Sequence, residues 1–504
     1  MTSKNKNQIK APCIAVLGTG SEVGKSVIST ALCRIFSSRG TRVAPFKAQN
    51  MSNNSGVTPE GLEMGRAQIV QAEAARIPPH VDMNPVLLKP TAGIGAQVVL
   101  MGTALETGKT ADGYDDNERL FREAGNALDR LRQQYELIIL EGAGSCAEVN
   151  LMSHDMVNFR MAAFADAPIL LVADIDRGGV FAQIIGTLEC LEQQQRAQVS
   201  GFIINRFRGD IELFKDGVRW IEKKTGKPIF GVLPWYSHIQ IESEDSVVIE
   251  NPKNVDIKNS QNPTVAVIRL PHISNFTDFD PLLALDRLDL YFLEKVQALT
   301  DFKAVILPGS KNTRFDLNWI HTSGWIQALS DYVSSGGHVL GICGGYQMMG
   351  KTIEDPQGLE GRPGISDGLG LLPIETVLQA PKTTTLTQFS WKGQAGIGYE
   401  IHMGQTTRKG ENPLFQIRTR NQDPCQDEDG CISADAKMMG TYIHGLFDNP
   451  VVLKSWLGHI GLNGIDVPEI GGIEARNRQY DLLAEHFQEY VNVERIMKLI
   501  ANRE

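Results

Sequence analysis

Several things are missing from this 504-residue chain, and each absence narrows its function. No uninterrupted apolar run approaches the ~18 residues of a membrane span. The polar start, Met1 to Lys10, precedes an apolar run too short for a secretion signal. A cytoplasmic location with no membrane partner is therefore expected. Cysteine is sparse: seven residues (13, 33, 146, 190, 343, 425 and 431), odd in number and without a Cys-x-x-Cys pair. That excludes a disulfide framework and a thiolate zinc site. Basic charge is not in excess either, since Lys+Arg 49 against Asp+Glu 59 gives a net charge of -10. A general nucleic-acid or anionic-surface binder is thereby disfavoured, and no nucleic-acid partner is expected. Neither an internal repeat nor a low-complexity tract is present. What remains is an ordinary soluble composition, 42% hydrophobic and 21% charged, long enough for two or more cores.

The most informative stretch is 339–349, Val-Leu-Gly-Ile-Cys-Gly-Gly-Tyr-Gln-Met-Met. Its apolar start reads as a buried strand, and Tyr-Gln-Met-Met is compatible with a helix. Between them Cys343 stands after Gly341 and before Gly344 and Gly345. Strand, sharp glycine-flanked turn and helix make a nucleophile elbow, in which only glycine lets the neighbouring backbone pass so closely. A helix N-terminus beneath the sulfur favours thiolate. Cys343 is thus a candidate nucleophile that needs a histidine base.

The N-terminal half opens with a strand, Cys-Ile-Ala-Val-Leu, followed by Gly18-Thr19-Gly20-Ser21-Glu22-Val23-Gly24-Lys25-Ser26 and a helical segment. Backbone N–H groups of such a loop surround phosphate oxygens. Lys25 is then placed for the β/γ-phosphates and the Ser26 hydroxyl for Mg²⁺. Thr19 stands where the commonest spacing would have glycine, so the loop is one residue longer. A second strand delivers Lys47 into an amide-rich run. There Lys47, Gln49 and Asn50 are candidates for holding phosphate and carboxylate together. Another strand delivers Glu141, a second metal-ligand candidate beside Ser26. Asp174 and Asp176 close the next strand, where one of them either meets a ligand or pairs with Arg177. Asn205, at a further strand end, is a possible adenine reader. This strand–helix alternation predicts an α/β fold with a parallel sheet.

Residues 251–262 are polar and proline-bounded, and read as a linker between domains at 1–250 and 263–504. Beyond them, Gly309 follows another strand, and its N–H with that of Gly344 would form an oxyanion hole. Among the histidines, His338 lies at the wrong end of the elbow strand, and His272 and His321 have no supporting motif. His402, in Gly398-Tyr-Glu400-Ile-His402, shares a strand face with Glu400. His444, in Thr-Tyr-Ile-His-Gly-Leu-Phe, ends a short strand. The segment from Asp481 to Ile500 is amphipathic at helical spacing and is expected to dock on a core.

Five segments carry a family resemblance. Gly-Ile-Cys343-Gly-Gly-Tyr-Gln resembles the nucleophile motif of class I glutamine amidotransferases, and Tyr-Ile-His444-Gly-Leu-Phe matches the place of their catalytic histidine. The phosphate loop resembles that of dethiobiotin synthetase and its relatives. Phe-Lys47-Ala-Gln-Asn-Met-Ser-Asn-Asn and Met83-Asn-Pro-Val-Leu-Leu-Lys89-Pro are similar to segments of the cobyrinic acid amide synthase family. This resemblance implies a two-domain α/β architecture: a P-loop ATP domain, then a class I glutamine amidotransferase domain that includes the C-terminal helix. Implied reactants are ATP with Mg²⁺, glutamine, and a corrinoid, adenosylcobyrinic acid a,c-diamide, amidated at its b, d, e and g carboxylates. Lys89 joins the substrate or phosphate group on the same basis. Many class I members carry Glu two residues after the histidine, where Leu446 stands here. Glu400 is one geometric candidate for orienting His444. The a,c-diamide-forming branch and CTP-synthase-like ligases are rivals, disfavoured by the 47–55 loop and by Gly-Tyr-Glu-Ile-His-Met-Gly. A partition-type ATPase would lack Cys343 or His444. The oligomeric state is left open.

Overall fold

The computed structural model describes residues 10–90, 95–105, 114–242 and 260–501. Most of the expected linker, 251–259, lies outside them. The first half is built on six parallel strands. Their order is Ile229–Pro234, Val199–Phe207, Ile169–Asp174, Cys13–Gly18, Leu137–Glu141 and Val43–Phe46. Their apolar runs are continuous rather than alternating, because helices cover both faces. Ile14 and Val16 pack in one core, and Cys13, Ala15 and Leu17 in the other. Register pairs Gly18 with Val172, Val16 with Glu141 and Asp174 with Asn205. The chemistry-bearing residues therefore gather at the carboxyl edge of one sheet.

The second half contains five parallel strands, ordered Asp289–Leu293, Thr264–Ile268, Ala304–Leu307, Val339–Ile342 and Met438–Thr441. Cys431–Ile432 adds an antiparallel edge. An antiparallel five-stranded sheet stands beside it: Asp423–Asp429, Phe415–Arg420, Thr383–Trp391, Gln394–His402 and Ile443–His444. Within this sheet Tyr399 lies directly opposite His444, and Glu400 opposite Ile443.

The C-terminal helices, Gly472–Tyr490 and Val493–Ala501, depart from the expected domain assignment. They pack on the first sheet, where Tyr480, Leu483, Phe487, Ile496 and Ile500 join the core of Ile14, Ile28 and Leu32. Arg34, fully buried, donates to Asp481 at 2.7 Å and to the Asn477 side chain at 2.9 Å. Gly231 leaves room for this docking, since a Cβ there would sit 2.4 Å from the Tyr490 carbonyl oxygen. The amphipathic pattern foretold burial, but not which core would receive the apolar stripe.

Candidate active sites

The nucleotide-side cavity follows from the register of the first sheet. It measures about 920 Å³, and its lining includes Ser21, Glu22, Gly24, Lys25, Ser26, Lys47, Gln49, Asn50 and Glu141. Gly24 caps the helix Lys25–Ser38 at φ 100, with no side-chain cap on its first N–H groups. A glycine-capped helix N-terminus at the end of a phosphate loop is the anion-binding geometry that the motif implies. Lys25 Nζ donates to the carbonyl oxygens of Gly20 at 3.0 Å and Gly144 at 2.7 Å. Glu141 is the hub: its Oε1 accepts from Ser26 Oγ at 2.8 Å and from Lys47 Nζ at 3.0 Å, and Gln71 donates to its Oε2. Among the described residues, no three His, Cys, Asp or Glu side chains gather as they would around a metal ion. The hydroxyl of Ser26 and the carboxylate of Glu141 nevertheless converge at the cavity edge. Two hard oxygen donors of this kind suit Mg²⁺, which takes the rest of its shell from phosphate and water.

Two expectations for this half need correction, and one open alternative is narrowed. Asn205 does not line the cavity: its Nδ2 donates to the Val23 carbonyl at 2.9 Å, where a Cβ on Gly24 would sit 2.1 Å from that nitrogen. The strand end aims Asn205 at the back of the phosphate loop, so it braces the loop rather than facing a base. Lys89 turns away toward the second half, donating to Glu63 Oε1 at 2.6 Å and Ser55 Oγ at 2.8 Å. Lys382 from the other side also binds Glu63, at 2.7 Å. Burial works to raise the Glu63 pKa, but these two ammonium groups hold it well below the usual carboxylate range. Arg177 pairs with neither strand-end aspartate. Asp174 binds Arg206 at 2.8 Å and Asp176 binds Arg208, while Arg177 reaches Glu22 of the phosphate loop.

The second site forms around Cys343, at the end of the strand Val339–Ile342. Its backbone sits at φ 51, ψ -108, a sparsely populated conformation that costs about 1–3 kcal/mol and persists only when its surroundings impose it. The imposition is visible. Cys343 N–H donates to the Thr441 carbonyl at 2.7 Å, and a Cβ on Gly345 would lie 2.0 Å from the Leu307 carbonyl oxygen. Gly309 lies against His444, for a Cβ there would stand 3.2 Å from its Cε1. Gly344 backs onto the neighbouring Ser310. The two candidate oxyanion glycines thus flank the same corner.

His444 is 1% exposed. Its Nδ1 lies 2.7 Å from Asp278 Oδ2, and the Gly445 N–H donates to Asp278 Oδ1 at 2.8 Å. That bond assigns the Nδ1 proton to the carboxylate side. It leaves Nε2, buried without a nitrogen or oxygen partner among the described residues, for the cysteine. Burial alone would depress the imidazole, but the Asp278 carboxylate and the Cys343 sulfur outweigh it and push the pKa up to about 10. Tyr399 stacks on the ring, with centroids 5.2 Å apart.

Sequence reasoning missed Asp278. It sits 166 residues before His444, in the turn Phe276–Phe279, within Asn-Phe-Thr-Asp-Phe. The available signal was an aspartate set between two buried phenylalanines, where an unpartnered carboxylate would be costly. Glu400 does not orient the histidine. Tyr399 opposes His444, so Glu400, one residue on, points to the other face of the sheet. There it accepts from Thr387 at 2.8 Å and Arg420 at 3.0 Å, with His402 Nε2 at 3.6 Å. The remaining histidines have other partners. His272 binds Asp316 at 2.8 Å, His321 lies 3.0 Å from the Asp367 carbonyl, and His338 packs edge-on against His459. A small polar cavity of about 70 Å³ opens at Cys343, lined by Lys311, Thr313, Gln347, Glu360 and Lys382 together with Lys89 and Gln97 of the first half.

Comparison with known proteins gives this geometry its family. Residues 14–248 match a CobQ/CobB/MinD/ParA nucleotide binding domain, and 264–452 a CobB/CobQ-like glutamine amidotransferase domain. A cobyric acid synthase of Chlorobium phaeobacteroides is 50% identical over 496 residues, covering 97% of each chain. One from Chlorobaculum tepidum is 48% identical, covering 96% of this chain and 97% of that one. Another, from Yersinia enterocolitica, is 46% identical, covering 97% and 98%. The chain belongs to the cobyric acid synthase family. It is accordingly a glutamine-dependent ligase of cobalamin biosynthesis, with a nucleotide-binding half and an amidotransferase half. The amidotransferase match ends at 452, short of the two C-terminal helices that pack on the first sheet of this cobyric acid synthase relative. Among the described residues, no helix is long and apolar enough to cross a membrane.

Proposed function

We propose that the protein converts the b, d, e and g carboxylates of adenosylcobyrinic acid a,c-diamide to amides, each round consuming one ATP and one glutamine. The observation that carries this reading is the pairing of two sites in one chain. One is a strained Cys343 beside a carboxylate-held histidine; the other is a large cavity floored by Lys25, Lys47 and Glu141.

At the glutaminase site, Cys343 Sγ attacks the side-chain amide carbon of glutamine. The Gly309 and Gly344 N–H groups receive the developing oxyanion. His444 Nε2 carries the proton to the departing nitrogen, so ammonia leaves and a glutamyl thioester remains. Asp278 fixes the tautomer and stabilises the imidazolium without taking its proton. Water, deprotonated by His444, then releases glutamate and restores the thiol.

At the nucleotide site, a corrinoid carboxylate oxygen attacks the γ-phosphorus of ATP, giving an acyl phosphate and ADP. Loop N–H groups and Lys25 neutralise the phosphate oxygens, and Lys47 holds the incoming carboxylate against them. Ser26 and Glu141 would hold Mg²⁺, which supplies further neutralisation of phosphate charge when bound. Ammonia attacks the acyl carbon and expels phosphate.

Mass spectrometry of the diamide corrinoid incubated with ATP, Mg²⁺ and glutamine tests the reading. Stepwise conversion of four carboxyls to amides is expected. A product unchanged in mass, with glutamine still hydrolysed, would contradict it.

A further inference from the structure

The segment joining the strand Val43–Phe46 to Val57 has two ends with different neighbours. Gln49, Asn50 and Met51 line the nucleotide-side cavity. Asn54 reaches into the other half, where its Oδ1 accepts the Phe276 N–H at 3.2 Å. Reciprocally, Asn275 Oδ1 accepts the Ser55 N–H at 3.1 Å. Both asparagines are buried, 1% and 3% exposed, so each of these bonds replaces water that cannot reach the groups.

What this clasp holds is the turn that carries Asp278. Asn275 stands at φ 51, ψ 43, a left-handed conformation that asparagine tolerates better than most side chains. From there the backbone turns through Phe276–Phe279, and the Asp278 N–H returns to the Asn275 carbonyl at 3.0 Å. Asp278 is thus fixed from two directions: by Asn54 through Phe276, and by the His444 ring and Gly445 N–H.

We propose that Asn54, contributed by the nucleotide-binding half, is a positioning residue of the glutaminase centre. In this arrangement the His444–Asp278 pair reaches its working geometry only when the 47–57 segment is docked. That segment also borders the cavity for ATP and the acceptor, so its placement ties ammonia release to the other half. The inference rests on reading Cys343 and His444 as the glutaminase pair.

The test uses the full-length chain and compares glutaminase turnover with amidation driven by ammonium salts. In Asn54→Ala, glutaminase kcat should fall by about 10²-fold, the scale of a misplaced catalytic group. The glutamine KM should hardly move, because Asn54 does not line the Cys343 cavity. Ammonia-driven synthesis should stay at the wild-type rate. Asn275→Gly keeps the left-handed turn accessible while removing the acceptor for Ser55, and should show the same loss of kcat. Wild-type glutaminase kcat in both variants would overturn the proposal. So would a proportional loss of glutamine-driven and ammonia-driven rates in both, which would make the clasp a general scaffold. Glutaminase activity surviving in Cys343→Ser would instead sink the underlying reading, whatever the asparagine variants do.

Discussion

The two sites are assembled by opposite strategies. At the nucleotide site nine consecutive residues, 18–26, supply the loop, the lysine and the hydroxyl. The remaining groups, Lys47 and Glu141, come from strands close in the same sheet. The proposed glutaminase centre draws one residue each from three distant segments: Asp278, Cys343 and His444. Each is set by a different kind of element: a tight turn, an elbow and a two-residue strand. A phosphate needs many similar donors around it, which one glycine-rich loop provides. A nucleophile, its base and the group that orients the base need different directions of approach, which no single loop provides. The contrast teaches that the first site tolerates local description, whereas the second depends on how whole elements are docked.

The largest expected effect separates the two. Cys343→Ala should abolish glutamine-driven amidation yet leave synthesis from ammonium salts, whereas Lys25→Ala should suppress both, because activation of the carboxylate precedes attack by ammonia. Parallel rate measurements with the two nitrogen sources decide this. Equal sensitivity of both rates to Cys343→Ala would merge the sites into one.

Next in size is Asp278→Asn, with an expected loss of about 10²-fold in glutaminase kcat, since the amide favours the wrong imidazole tautomer. Steady-state glutamine hydrolysis measures it. The contribution of docking to the elbow appears in Gly345→Ala, whose Cβ would meet the Leu307 carbonyl oxygen at 2.0 Å. A destabilisation of about 1–3 kcal/mol is expected in denaturant titration. At the small end, Glu400→Gln should leave glutaminase kcat unchanged in the same hydrolysis assay, because that carboxylate serves Thr387 and Arg420 on the far face of its sheet.

This contrast also explains what was legible in the sequence. The parallel sheets could be read from continuous apolar runs, and Cys343, Lys25, Ser26 and Glu141 from strand ends followed by glycine. His444 could be picked out by its neighbours once a cysteine nucleophile required a base. Asp278 could not, because nothing in Asn-Phe-Thr-Asp-Phe marks which histidine its turn will meet. Glu400 looked plausible because alternation along one strand was visible, while the register with Ile443–His444 was not. That register puts Tyr399, not Glu400, beside the ring. Lys89 and the C-terminal helices were misassigned for a related reason: sequence shows that a side chain or stripe needs a partner, but not which half supplies it.

The account turns on Asp278 as the group that holds His444, and the imidazole itself reports on that. Selective ¹⁵N-histidine labelling, followed by NMR titration, would read the protonation of His444 directly. Its ordinary pKa is 6.5, and the buried Asp278 carboxylate and Cys343 sulfur push it up to about 10, so the imidazolium should persist well into the alkaline range. In Asp278→Asn the midpoint should drop, while in Glu400→Gln it should stay where it is. A His444 that titrates near 6.5 in the wild type, or that moves with Glu400 and not with Asp278, would contradict the account.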